Sequence, residues 1–240
     1  MTVPTLRITS SDSVLRSYLR LPCWGQRQAL SRRASMRDYD GKTAAERVAE
    51  RRSKLIDAGF ELFGDYGYAG TSIRAVLREA GLIDRYWSEN FTDLDDLLVA
   101  VYDRLIEDEI AACRAAIDRA SGSSAGARAM IDTIARLLES DPRRARIHLR
   151  EILNGGPVCQ QRRQEALQRL GALVAELLPA ASGVRKRKRL LLGIGVVAAG
   201  DEYLRGWLQE PATTTRAEVV RTVMYIFDSL SAQLVSVAAN

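Results

Sequence analysis

The stretch whose reading decides the fold is residues 51–103, RRSKLIDAGFELFGDYGYAGTSIRAVLREAGLIDRYWSENFTDLDDLLVAVYD. Val48, Leu55, Ile56, Phe60 and Phe63 recur on one face of a 3.6-residue period, which predicts a helix from Thr43 that Gly64, Gly67 and Gly70 bring to an end. A second helix is expected after Thr71 or Ser72 as N-cap. It carries Ile73, Val76, Leu77 and Ala80 at i, i+3, i+4 and i+7, and Gly81 is its stop. Asp84 is expected to cap a third helix that places Trp87 and Phe91 on one face, with Leu82 behind them. Two helices of about eight residues joined by a tight glycine turn form a helix-turn-helix pattern. A longer helix follows, with Asp93 as cap and Asp96 at the capping-box position. It turns Leu94, Leu97, Leu98, Val101, Leu105 and Ile106 inward and is expected to reach Ala120.

Working outward, the rest of the chain also reads as helix with punctuation. Residues 121–126 break it, a fifth helix is expected over 127–139, and Asp141-Pro142 supplies a cap and a first-turn proline for the sixth. Asn154 to Pro157 ends the sixth and the seventh runs to Leu178. The eighth is expected over 187–209 and the ninth over 216–238. No strand pattern or repeat emerges. The expected fold is all-α with about nine helices: a basic mobile arm over 1–43, a helix-turn-helix domain over 44–98, and a larger helical domain over 99–240, to which the family resemblance given below assigns effector binding and dimerisation.

Composition narrows the function. No run approaches the roughly 18 uncharged apolar residues of a membrane span; the longest candidate, 190–200, has eleven and is flanked by charge. The N-terminus lacks the apolar core of a signal peptide, so a cytoplasmic protein is expected. Cys23, Cys113 and Cys159 are odd in number and widely spaced, giving neither a disulfide framework nor metal ligation. His148 is the whole imidazole inventory. Nothing beside it builds a triad with Cys159 or Asp141, so it reads as a core or pocket residue; neither an enzyme, nor a metal, nor a cofactor is expected. Charge is uneven: residues 1–45 carry eight basic groups against three acidic, residues 46–100 seven against eleven. The run RKRKR at 185–189 opposes a helix dipole at its N-terminus and is expected to stay solvated ahead of the eighth helix.

The order of features in 51–103 resembles the TetR family of bacterial transcriptional regulators. An apolar first helix, the GY-x-x-T-S turn at 67–72, the A-G turn at 80–81, an aromatic third helix closing on Phe91 and the D-L-L opening at 96–98 all follow the family pattern. The C-terminal half is similar in helix count and in the rhythm of residues 200–208. The third helix departs from the pattern: Ser88 and Leu94 stand where many members carry a tyrosine and a lysine that touch phosphates. Carboxylates Asp84, Glu89, Asp93 and Asp95 flank it.

The resemblance implies a homodimeric, ligand-responsive repressor of a near-palindromic operator on double-stranded DNA. The alternative is a helical binding or scaffold protein whose helix-turn-helix no longer grips DNA. For the DNA contacts Ser72, Arg74, Arg85, Tyr86, Ser88, Glu89, Asn90 and Lys54 are singled out, since arginine reads guanine, asparagine adenine and glutamate the cytosine amino group. Arg51, Arg52 and Arg78 are further candidate phosphate contacts. An apolar effector pocket is expected to draw on Tyr102, Cys113, Met130, His148 and Trp207. Residues 190–197 are apolar almost all round and include Gly193 and Gly195, with Gly200 nearby. Each glycine costs roughly 1 kcal/mol in a helix unless something approaches closely. A dimer interface using Leu191, Ile194, Val223, Phe227 and Leu230 answers this. The first segment leaves two readings open. Either Arg7, Arg16, Arg20, Arg27, Arg32 and Arg33 supply phosphate contacts, or Met36 is the true start and residues 1–35 are dispensable.

Overall fold

Each helix begins and ends on a local device that the sequence supplies. The computed structural model describes residues 43–180 and 185–239, with side chains to 236; the arm and its arginines therefore lie outside the described residues. Helix α1 (Ala44–Tyr66) buries Leu55, Ala58 and Phe63, while Val48 at its outer end stays in solvent. It passes through Gly64, which was expected to end it, because that glycine lies within the helix against the Cβ of Arg143. The stop is Gly67, whose φ of 76° suits a residue without a Cβ. Helix α2 (Ile73–Ala80) is capped by Ser72, whose Oγ accepts from the Ala75 N–H at 3.3 Å, and it ends on Gly81 at φ 65°.

Helix α3 (Asp84–Ser88) is shorter than expected. Its N-cap is Ile83 without a side-chain bond, Asp84 lies inside the first turn, and Phe91 follows the helix rather than belonging to it. The cause is the next cap: Asp93 accepts from the Asp96 N–H at 2.9 Å and Asp96 reaches back to the Thr92 N–H at 3.1 Å, so the chain must leave α3 early. Trp87 and Phe91 are still buried together, rings 5.6 Å apart. Helix α4 (Leu94–Asp118) then runs roughly 38 Å at 1.5 Å per residue.

Helix α5 (Ser123–Ser140) starts four residues earlier than expected. Gly122, at φ 96°, makes the turn, and Gly126 lies inside the helix against Leu177. Asp141 caps α6 through the Arg143 N–H at 3.0 Å, with Pro142 as first residue. We count as α6 the continuous run 142–154: an α turn (Pro142–Arg146), a π turn (Ile147–Glu151) and a last α turn (Ile152–Asn154). Helices α7 (Pro157–Leu177), α8 (Lys186–Gln209) and α9 (Arg216–Ala239) complete the described chain. Helix α8 starts inside the RKRKR run instead of after it, since Arg189 donates to the carbonyls of Ala175 (2.5 Å) and Leu178 (2.7 Å) at the end of α7. That satisfies acceptors a helix C-terminus leaves open. Thr215 and Glu218 form a reciprocal capping box at the start of α9.

Helix α4 packs on α1, α5 and α7; α8 packs on α7 and α9, and α9 returns to α5. At the α7–α8 seam a Cβ on Gly193 would collide with the Gly171 carbonyl, so these two backbones touch. Gly193 thus has the close neighbour that its cost demands; beside Gly195 there is open space. The described residues are all-helical apart from turns and loops, and among them no helix is long and apolar enough to cross a membrane.

Candidate nucleic-acid interface and the core cluster behind it

The α2–turn–α3 unit lies on α1 by its apolar side, with Val76, Leu77 and Trp87 buried. Arginines from α1 fasten it. Arg51 lies 4.4 Å above the Tyr86 ring and 3.5 Å from Glu89, while Arg52 donates to the Asn90 carbonyl at 2.7 Å and covers the Phe91 ring at 4.3 Å. Both were candidates for phosphate; in the structure they are half-buried pins of the third helix. Glu89 is held between Arg51 and Arg85, the latter at 3.0 Å. The Asn90 amide donates to the Tyr86 carbonyl at 2.7 Å, so both its expected base contact and that of Glu89 compete with internal partners. Ser88 likewise donates to the Arg85 carbonyl.

The outward-facing remainder is coherent. Arg85 exposes 78% of its side chain, and Ser72, Arg74, Arg78 and Ser88 are exposed around it. Tyr86 is half-buried beside them, and Lys54 is exposed and paired with Glu50. An arginine prealigned by a carboxylate at the tip of a short helix has the donor fork that a guanine edge or a phosphate takes.

Behind the unit lies a latch that the sequence reading missed. Glu151, nearly fully buried in the π turn, accepts from the Tyr68 backbone N–H (2.8 Å), from Asn154 (3.0 Å) and from Arg146 (2.9 Å). Arg146 also donates to the carbonyls of Gly64 and Asp65 at the end of α1. Burial alone raises a carboxyl pKa, but these donors outweigh it and hold Glu151 below the usual carboxylate range. A Cβ on Gly67 would sit 2.6 Å from Arg146, so the glycine is also required by this close approach. The Tyr68 hydroxyl donates to Asp95 at 2.6 Å, which with burial pushes the phenol to about 12, and Asp95 also accepts from the Gly156 N–H.

Deeper in, the expected effector residues are all buried. They form two separate groups: Tyr102 and His148, with rings 6.0 Å apart, and Cys113 and Met130, where the thiol lies 3.9 Å from the Met130 carbonyl. Burial pushes the Cys113 thiol up to about 12. Trp207 stands apart and borders an open groove of about 660 Å³ between α8 and α9, alongside Tyr203 and Glu218. Tyr102, Cys113, Met130 and His148 do not border this groove. What surrounds His148 is charge rather than an apolar chamber. Glu109 of α4 lies 3.0 Å from Nδ1 and Asp201 of α8 3.6 Å from Nε2. Arg144 stands 3.6 Å from Glu109 and Arg163 3.6 Å from Asp201. Burial lowers the basicity of the imidazole, the two carboxylates raise it more, and the ring stays protonated up to about 10. Glu109 was visible in principle: it occupies an apolar register position between Leu105, Ile106 and Cys113.

Of the expected partner-facing residues, Val223 and Phe227 are spent inside the chain's own core, each only 1% exposed. Ile194 and Leu230 are half-buried. Leu191 remains outside at 58%, joined by Tyr203, Tyr225 and Val235 of α8 and α9. The correction has a simple cause: α9 packs on α5 as well as α8, so its most apolar face points inward.

No family model matches the chain. It is 23% identical over 203 residues to the HTH-type transcriptional activator FasR of Mycolicibacterium smegmatis, covering 83% of this chain and 93% of that protein. Solved structures share the architecture. Bacillus subtilis FadR, crystallised with stearoyl-CoA, superposes with a TM-score of 0.61 at 17% identity, covering 75% of this chain and 97% of FadR. A TetR-family transcriptional regulator of Streptomyces coelicolor gives 0.61 at 19%, covering 80% and 95%. The resemblance read from residues 51–103 therefore extends to the architecture, and the chain has the all-helical fold of the TetR-family transcriptional regulators.

Proposed function

We propose that this chain is a cytoplasmic, homodimeric regulator of transcription that docks α3 into the major groove of each half of a near-palindromic operator. The observation that carries the reading is the α2–turn–α3 unit itself: its apolar side is pinned to α1 by Arg51 and Arg52, and Arg85 stands exposed at its tip with Arg74 and Arg78 nearby. Repression was expected from the family pattern; the similarity to an activator supports regulation in either direction. A reporter assay on the neighbouring promoter gives the sign. The dimer face best supported is the exposed side of α8 and α9 that carries Leu191, Tyr203, Tyr225 and Val235. Mobility shift of the DNA flanking its own gene tests the proposal. We expect a specific complex, and Arg85→Ala is expected to weaken it by about 1 to 3 kcal/mol with the fold intact. A folded wild type that shifts no flanking fragment favours the scaffold alternative.

A further inference from the structure

We propose that a pocket at the joint of α5, α6 and α8 binds a small amphipathic monoanion, a medium-chain carboxylate. The cavity measures about 230 Å³. Its floor is apolar, made by Leu138 from α5, Ala145 and Leu149 from α6, and Leu208 from α8. Three guanidiniums, of Arg146, Arg150 and Arg205, stand among its lining residues, and one carboxylate, Glu139, stands with them.

The charges around this rim define the ligand. Glu139 is paired with Arg216. Arg146 is paired with Glu151 and Arg205 with Glu202, and Arg205 also donates to the Leu149 carbonyl at 3.1 Å. Arg150 is exposed and has no ion pair among the described residues. One positive charge over an apolar floor is left for a partner, and a guanidinium fork takes a carboxylate through two parallel hydrogen bonds. Divided by about 30 Å³ for a water's share of liquid, the cavity accommodates roughly eight heavy atoms. That suits an alkyl tail of about seven carbons lying on the leucines, with the carboxylate outside this volume at the mouth. A polar or dianionic ligand would forfeit the floor or lack a second unpaired cation.

The test needs no DNA, so its outcome is separate from that of operator binding. Octanoate is titrated calorimetrically into the full chain, beside acetate, which has the head without the tail, and octyltrimethylammonium, which has the tail with the opposite charge. Saturable one-site binding of octanoate alone is expected, weakened about tenfold or more in Arg150→Glu, whose exposed position spares the fold. Arg150→Ala, as a second variant, is expected to fall between the two. Absence of saturable octanoate binding overturns the proposal. So does wild-type affinity for octanoate in both Arg150 variants, or equal binding of octyltrimethylammonium.

Discussion

At His148 a buried imidazole lies between two buried carboxylates, Glu109 and Asp201, and the pH dependence follows from the sign of its shift. The ring is held protonated above its ordinary 6.5, to about 10, by Glu109 and Asp201. A group whose pKa rises on folding contributes its full stability below the unfolded value and loses it as pH climbs towards the folded one. Denaturant unfolding of the wild type should therefore show stability draining between about pH 6.5 and 10, and His148→Gln should flatten that part of the profile. An identical slope in both proteins would show that the imidazolium contributes nothing. His148 as a buried core residue was legible in the sequence; its partners were not, because Glu109 and Asp201 lie 39 and 53 positions away on other helices and only folding brings them together. The contacts of Arg51 and Arg52 with Tyr86 and Phe91 were illegible for a related reason: a basic residue on a helix reads the same whether it faces a phosphate or a neighbouring ring.

At the scale of elements, the caps were the most legible feature. Ser72, Gly81, Asp93 and Asp141 act where their chemistry predicts, because a cap is settled within four residues. Helix lengths near competing caps, as at α3, and the π turn of α6 depend on packing partners and left no local sign. The candidate site divided in the same way. Arg85 was expected to face outward from its place in the third helix and is exposed there, whereas the Tyr68–Glu151–Arg146 latch joins segments about eighty residues apart. The α7–α8 seam offers a clean test. Gly193→Ala places a methyl against the Gly171 carbonyl, and overpacking of this kind costs about 1 to 3 kcal/mol. A urea midpoint unchanged by the substitution would mean that the two backbones are not held in contact.

For the whole molecule, the proposed dimer would cover the exposed apolar side chains of α8 and α9. Light scattering at micromolar concentration should give a dimer, and Leu191→Asp, at a site 58% exposed in the single chain, should give a folded monomer. A monomeric wild type would remove the two-half-site geometry. Charge makes a second demand. Residues 46–100 hold seven basic groups against eleven acidic, whereas residues 1–35 hold six arginines against one aspartate. If two to four of those arginines meet phosphates, deleting 1–35 should reduce the slope of log K against log salt by about 2 to 4 per protomer, read by fluorescence anisotropy on labelled operator. An unchanged slope would make the segment passive. The glycine contact between α7 and α8 has a mechanical consequence as well. Two helices whose backbones touch without intervening side chains have little room to slide, because each small displacement meets a peptide group rather than a rotatable methylene. The pair should transmit displacement as a stiff plate, with compliance concentrated at its borders, and its amides near Gly171 and Gly193 should be among the slowest in the protein to exchange their hydrogens with deuterated solvent.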